Sequence, residues 1–162
     1  MPIVHRLIFA SRSTVSFDAG HLQRLAHKAH RNNAARDISG ILLYGEGRFL
    51  NLLEGPRDAI HDLYDHKIVY DERHTDCEVL LDDQASYRLF PKWGMGRLFL
   101  CSDKEVGEQR WNALCNEIAR QCPESIFAKD PVVRVLKTFA DEVGEGLETV
   151  TALDPPTRRA SA

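Results

Sequence analysis

A chain of 162 residues is long enough for one domain with a real core and some added helix. Its 43% hydrophobic and 28% charged residues suit a globular protein, and a formal net charge of −3 offers no electrostatic footprint for nucleic acid. No apolar run approaches the roughly 20 residues of a bilayer-crossing helix, and no secretory leader opens the chain, so the expected setting is the cytoplasm, with neither membrane nor nucleic acid as partner. Cys77, Cys101, Cys115 and Cys122 lack any C-x-x-C spacing and read as reduced thiols.

Residues 3–11 read as a first strand. A helix follows from Asp18, a suitable N-cap, to Arg31, with Leu22, Leu25, Ala26 and Ala29 on one stripe. Residues 38–44 and 48–53 form a hairpin, with Gly45-Glu46-Gly47 supplying positive φ at the turn. Pro56 starts a second helix carrying Ile60, Leu63, Tyr64 and Ile68. Glu78 to Leu81 is a short fourth strand, Phe90-Pro91-Lys92-Trp93 a turn, and Gly96 to Cys101 a fifth strand. The order βαββαββ predicts an α+β, ferredoxin-like fold: a mixed five-stranded sheet with two helices on one face.

Two C-terminal helices follow. Asp103 caps the first, which carries Trp111, Leu114, Cys115, Ile118 and Cys122; Asp130-Pro131 opens the second, with Val132, Leu136, Phe139 and Val143, and Gly144 is its C-cap. They are expected to cover the other sheet face or an oligomer interface. The division is therefore a domain over 1–101, a helical extension over 102–146 and a disordered tail over 147–162.

Motifs with chemistry are few. His27 and His30 stand at i, i+3 without an acidic or thiol partner nearby, and His61 and His66 point different ways on their helix. All four read as solvated, and no metal site is expected. Glu54, before Gly55-Pro56, is either a general base or a helix-start charge; the latter is preferred, since no acid, nucleophile or ligand accompanies it. Asn32 and Asn33 can end the first helix, because Asn tolerates the left-handed conformation, or can offer donors and acceptors to a planar heterocycle. Spacing leaves both open.

The pieces nevertheless arrive in a recognisable order. Arg6-Leu7-Ile8-Phe9-Ala10-Ser11-Arg12, then Arg31-Asn32-Asn33, Asp37-Ile38-Ser39-Gly40-Ile41-Leu42-Leu43-Tyr44 and Gly47-Arg48-Phe49-Leu50-Asn51-Leu52-Leu53-Glu54-Gly55 are followed by Asp71-Glu72-Arg73-His74 and Phe90-Pro91-Lys92-Trp93-Gly94-Met95-Gly96. Over residues 4 to about 101 the chain resembles the BLUF family of flavin-using blue-light sensors. The resemblance implies flavin between the two helices, FAD ahead of FMN or riboflavin. It implies Asn32 and Asn33 at the flavin's polar edge, and Ile38 and Phe49 as apolar contacts. Asp71, Arg73 and His74 would lie by the ribityl and phosphate side, with Lys67 as a basic residue ending the second helix, and Trp93 and Met95 as light-responsive positions.

Three departures stand out. The family's photochemistry begins with a first-strand tyrosine, here Phe9, whose phenyl ring has no acidic proton and is hard to oxidise. Its bridging glutamine on the third strand is here Asn51, shorter by a methylene and so about 1.3 Å in reach, more than a hydrogen bond tolerates. The second helix, around Leu63 to Val69, is one residue longer than usual, so a bulge there could re-aim Lys67.

The expectation is a sensory domain, not an enzyme, that binds flavin but is impaired or silent in the usual light cycle. It would form a homo-oligomer and signal by contact with a separate protein. The alternatives are a flavin-free interaction module and, more remotely, an acylphosphatase-like hydrolase using Arg12 with Asn32 or Asn51.

Overall fold

The structure, a computed structural model, describes residues 3–99, 104–122 and 129–143. Strand β1 spans Val4–Ser13, helix α1 Ala19–Ala34, β2 Ser39–Gly45 and β3 Arg48–Gly55. Helix α2, Arg57–Leu63, continues into a π-helical turn over Tyr64–Ile68; β4 is His74–Ala85, β5 Gly96–Phe99, α3 Lys104–Gln121 and α4 Pro131–Glu142. The sheet order is β4-β1-β3-β2-β5, antiparallel except for the β2–β5 pair. This is the expected α+β, ferredoxin-like arrangement with one strand added.

Strand periodicity divides the core in two. Leu7, Phe9, Leu42, Phe49 and Leu53 point to one face, where Leu22 and Ala26 of α1 and Ile60 and Leu63 of α2 cover them. Ile8, Ile41, Leu43, Leu50 and Leu52 point to the other, where Leu114 and Ile118 of α3 and Leu136, Phe139 and Val143 at α4 complete a second core. The C-terminal helices thus cover the second sheet face.

Several local expectations hold. Asp18 accepts from the His21 amide at 2.8 Å, and Asp130 accepts from the Val132 amide at 2.9 Å with Pro131 next in line. The hairpin turn takes positive φ at Glu46 (51°) and Gly47 (69°), leaving Gly45 in β2. The lengthened second helix absorbs its extra residue as the π turn, in which the Val69 amide reaches Tyr64 O at 3.1 Å.

Others need correction. Helix α1 runs through Asn32 and Asn33 to Ala34, so the two amides belong to its last turn, and Asp37 (φ 58°) carries the left-handed conformation instead. Strand β4 is three times the expected length, because as an edge strand it exposes Thr75, Asp76, Glu78, Asp82 and Gln84, a polar run that hides its pairing potential. The expected Cys101 strand end, the Asp103 cap, the Gly144 cap and the 147–162 tail lie outside the described residues.

Candidate functional site

The hydrogen-bond register places Phe9 of β1 opposite Asn51 of β3, and Asn51 opposite Leu42 of β2. These three make one row on the sheet face toward α1 and α2. On α1, Leu25, Ala29 and Asn32 recur every three to four residues and face that row, with Lys28 and Asn33 flanking them. On α2 and its π turn, Leu63, Lys67 and Ile68 close the opposite side. Between them lies a cleft enclosing about 270 Å³, also lined by Phe49, Leu53, Asp71, Arg73, His74 and Met95.

Phe9 is buried, its ring 5.1 Å from that of Tyr64 and 6.4 Å from that of His74. A register shift against β4 falls between Ile8 and Phe9, a bulge that aims the ring. His74 is fixed by two contacts: Nε2 to Ile68 O at 2.5 Å and Nδ1 to Ser11 Oγ at 2.8 Å. A carbonyl can only accept, so Nε2 carries the proton and Nδ1 accepts from the serine. Asp71 accepts from Arg73 Nε at 2.9 Å and from its amide at 3.0 Å; that arginine holds the Asp71 carboxyl down at about 2. Lys28, Lys67 and Arg73 are exposed and ring the mouth with positive charge.

The carboxamides differ. Asn33 is buried and donates Nδ2 to Gly94 O at 3.1 Å. Gly94 packs so closely on α1 that a Cβ there would meet His30 Nδ1 at 2.4 Å, so the residue type itself lets the 93–95 segment approach the helix. Asn51 lines the cleft with its Oδ1 buried and without a hydrogen-bond partner. Nature rarely leaves a buried amide oxygen unsatisfied, and this one borders a space walled by apolar side chains. The arrangement suits a flat apolar ring with a hydrogen-bonding edge.

Of the residues singled out in sequence, Asn32, Asn33, Phe49, Asn51, Lys67, Asp71, Arg73, His74, Phe9 and Met95 all line the cleft, and Ile38 and Trp93 do not. Ile38 is buried in the neighbouring core. Trp93 lies on the opposite sheet face, stacked on Phe90 with centroids 5.5 Å apart and packed in the core that α3 and α4 complete. Met95, two residues on, is buried on the cleft side. Leu25, Lys28 and Ala29 went unassigned because their stripe reads equally as core, although Lys28 precedes Asn32 by one helical turn. Arg12 is not among the lining residues, which leaves the hydrolase reading without its arginine.

Glu54 corrects its expected role. It is the penultimate residue of β3, on the face away from the cleft, opposite Arg6, and is fully buried. Its carboxyl accepts from the amides of Leu89 at 2.8 Å and Phe90 at 2.9 Å, so it anchors the turn before Trp93 and does not start α2. Burial pushes its pKa up to about 7 against the pull of those amides.

The fold and cleft define a small-molecule-binding α+β domain. The family described as sensors of blue-light using FAD, BLUF, matches residues 4–96. The Escherichia coli blue light- and temperature-regulated antirepressor BluF is 35% identical over 89 residues, 55% of this chain and 22% of its own length. The photoactivated adenylate cyclase subunit beta of Euglena longa is 43% identical over 85 residues, 52% of this chain and 10% of that protein. Klebsiella pneumoniae BlrP1 superposes with a TM-score of 0.69 at 30% identity, covering 87% of this chain and 33% of that one. The chain belongs to the BLUF family of flavin-binding blue-light sensors and spans a quarter or less of these two curated relatives. Among the described residues no helix is long and apolar enough to cross a membrane.

Proposed function

We propose that this chain holds FAD in the cleft between α1 and α2 and signals by protein–protein contact, with the family's usual photocycle disabled. The carrying observation is the pair Phe9–Asn51: cross-strand neighbours at the cleft floor, one without a hydroxyl and the other with an amide oxygen lacking a protein partner. Asn32 and Asn33 take the flavin's polar edge. Phe49, with Leu25, Leu42 and Met95, packs on the ring. Asp71 orients Arg73, and Arg73 joins Lys28 and Lys67 toward the phosphates; His74 braces the loop.

FAD is favoured over riboflavin by those three cations and by a groove along Phe17, His21 and Arg24 that adjoins the cleft through Leu25, Lys28 and Arg73. Bound flavin supplies light absorption. A signal without the tyrosine–glutamine relay would leave through the 93–95 segment, which puts Met95 on the cleft and Trp93 against the cores of α3 and α4. The working unit is a homo-oligomer of a 1–101 domain and a 102–146 extension acting on a separate protein, with no catalysis of its own.

Absorption spectra of the purified protein with FAD, in the dark and under blue light, test this. The expected result is bound flavin with no lasting red shift, and a reversible shift restored by combining Phe9→Tyr with Asn51→Gln. A lasting shift in the unaltered protein would overturn the silent photocycle. Protein that stays colourless would favour a flavin-free interaction module.

A further inference from the structure

On the same sheet face as the cleft, but nearer the start of β1, three side chains from three elements converge. His5 of β1 is buried and points at α2; His61 of α2 is half-buried over it; Asp82 of β4 closes the group from the edge strand. His5 Nε2 lies 3.3 Å from His61 Nε2, and 2.6 Å from Asp82 Oδ1, while His61 Nε2 lies 3.4 Å from Asp82 Oδ2. The expectation of a solvated His61 therefore fails: register and helix packing carry it onto a second imidazole that stands 56 positions away in sequence.

Protons alone satisfy this cluster unevenly. If both Nε2 atoms carry hydrogen, each has its own oxygen of Asp82, at 2.6 Å and 3.4 Å, but the two N–H donors then stand only 3.3 Å apart. If His61 Nε2 is bare, its lone pair points to the same spot as those of the carboxylate, and a single His5 proton serves both. A cation placed between them resolves the conflict. With metal–nitrogen bonds of about 2.0–2.1 Å, the edge of a coordination tetrahedron is about 3.3–3.4 Å. The N···N distance of 3.3 Å and the N···O distance of 3.4 Å already have that length. Only the 2.6 Å contact must open, as a hydrogen bond replaced by metal coordination does.

We propose that His5 Nε2, His61 Nε2 and the Asp82 carboxylate form a binding site for a divalent transition metal of the zinc class. Two imidazoles and one carboxylate are the donor set that zinc takes in sites with three protein ligands, the fourth position going to water. Asp65, one helical turn after His61, has a carboxylate oxygen 3.9 Å from His61 Nδ1, near enough to add negative charge to the site but beyond hydrogen-bond distance. Asp82 is exposed enough to give the ion an entry path. His5 Nδ1, by contrast, is buried and has no hydrogen-bond partner. Coordination through Nε2 puts the ring proton there without an acceptor, so the affinity is lower than that of a site whose ligands all have hydrogen-bonded partners behind them. The bound ion ties β1, α2 and β4 together, and those elements deliver Phe9, Leu63 and His74 to the cleft.

The chelator-stripped 162-residue chain, without flavin, is titrated with zinc sulfate by calorimetry, and cobalt(II) is added as a spectroscopic probe. One zinc per chain and tetrahedral cobalt d–d absorption are expected. His61→Ala and Asp82→Asn, each checked for native circular dichroism, should weaken binding at least tenfold and abolish the cobalt bands. The double variant His27→Asn/His30→Asn should bind as the parent does. No saturable binding, binding unchanged in both His61→Ala and Asp82→Asn, or binding lost only in the His27/His30 variant would overturn the site. Because flavin is absent throughout, failure here is distinct from failure of the flavin reading.

Discussion

Glu54 brings a titration into the middle of the molecule. Its carboxyl is fully buried and holds the Leu89 and Phe90 amides, and burial raises its pKa from an ordinary 4.5 to about 7. A carboxyl whose pKa is raised on folding binds more protons folded than unfolded between those two values. Its contribution to stability is complete below about 4.5 and is lost as pH rises through about 7, by about 3 kcal/mol at most. Urea unfolding at pH 5 and pH 8 should therefore show a component that falls toward pH 8 and is absent in Glu54→Gln. An identical pH profile in the variant would mean that Glu54 titrates normally. The sequence showed the carboxylate but not its place, because the Leu89 and Phe90 amides that it holds stand 35 and 36 positions away. The same holds for His5, His61 and Asp82, which no spacing rule connects. Spacing alone left Asn32 and Asn33 open, and it was through the family resemblance of their motifs that Asn32, Asn33, Asn51 and His74 were legible as cleft residues. Trp93 was not: its motif places it beside Met95, and the sheet edge sends the two to opposite faces.

At the scale of elements, strong periodicity was legible and weak periodicity was not. The apolar stripes of α1, α3 and α4 and the hairpin glycines specify themselves locally, whereas β4 earns its twelve residues by pairing with β1. The π turn after α2 belongs to the first kind, since one residue too many in an otherwise helical segment must be absorbed somewhere. Such a turn is an insertion, so α2 before it keeps its facing. Deleting the exposed His66 should convert the turn to α-helix, leave Leu63 on the cleft and change stability by no more than about 1 kcal/mol. Urea unfolding and circular dichroism would check this. A loss of several kcal/mol would show that tertiary contacts hold the π geometry.

The whole molecule joins its two cores through β1, whose odd residues face the cleft and whose even residues face the C-terminal helices. Phe9 stands on the first side and Arg6 on the second. Arg6 is buried, and its Nη1 reaches Asp130 Oδ2 at 2.6 Å while Nε reaches Asp83 at 3.1 Å. Burial alone would lower the guanidinium's pKa, but the two carboxylates more than offset it and the net direction is upward. Asp130 also caps α4 and accepts the Tyr87 hydroxyl at 2.5 Å, so one fully buried carboxylate ties β1, the segment after β4 and the last described helix together. Removing it leaves a buried arginine half-compensated, a phenol without its acceptor and a helix uncapped. Asp130→Ala should destabilise the protein by about 3–5 kcal/mol, of which the cap supplies about 1. Arg6→Met removes the charge that needs compensation, so the double variant should be less destabilised than the sum of the singles, with a coupling of about 1–3 kcal/mol by urea unfolding. Strict additivity would mean that Asp130 acts only as a helix cap. α4 would then be held to the sheet by its apolar face, Val132, Leu136 and Phe139, and by Arg48 of β3, which reaches Glu142 at 3.5 Å and lies over the Phe139 ring.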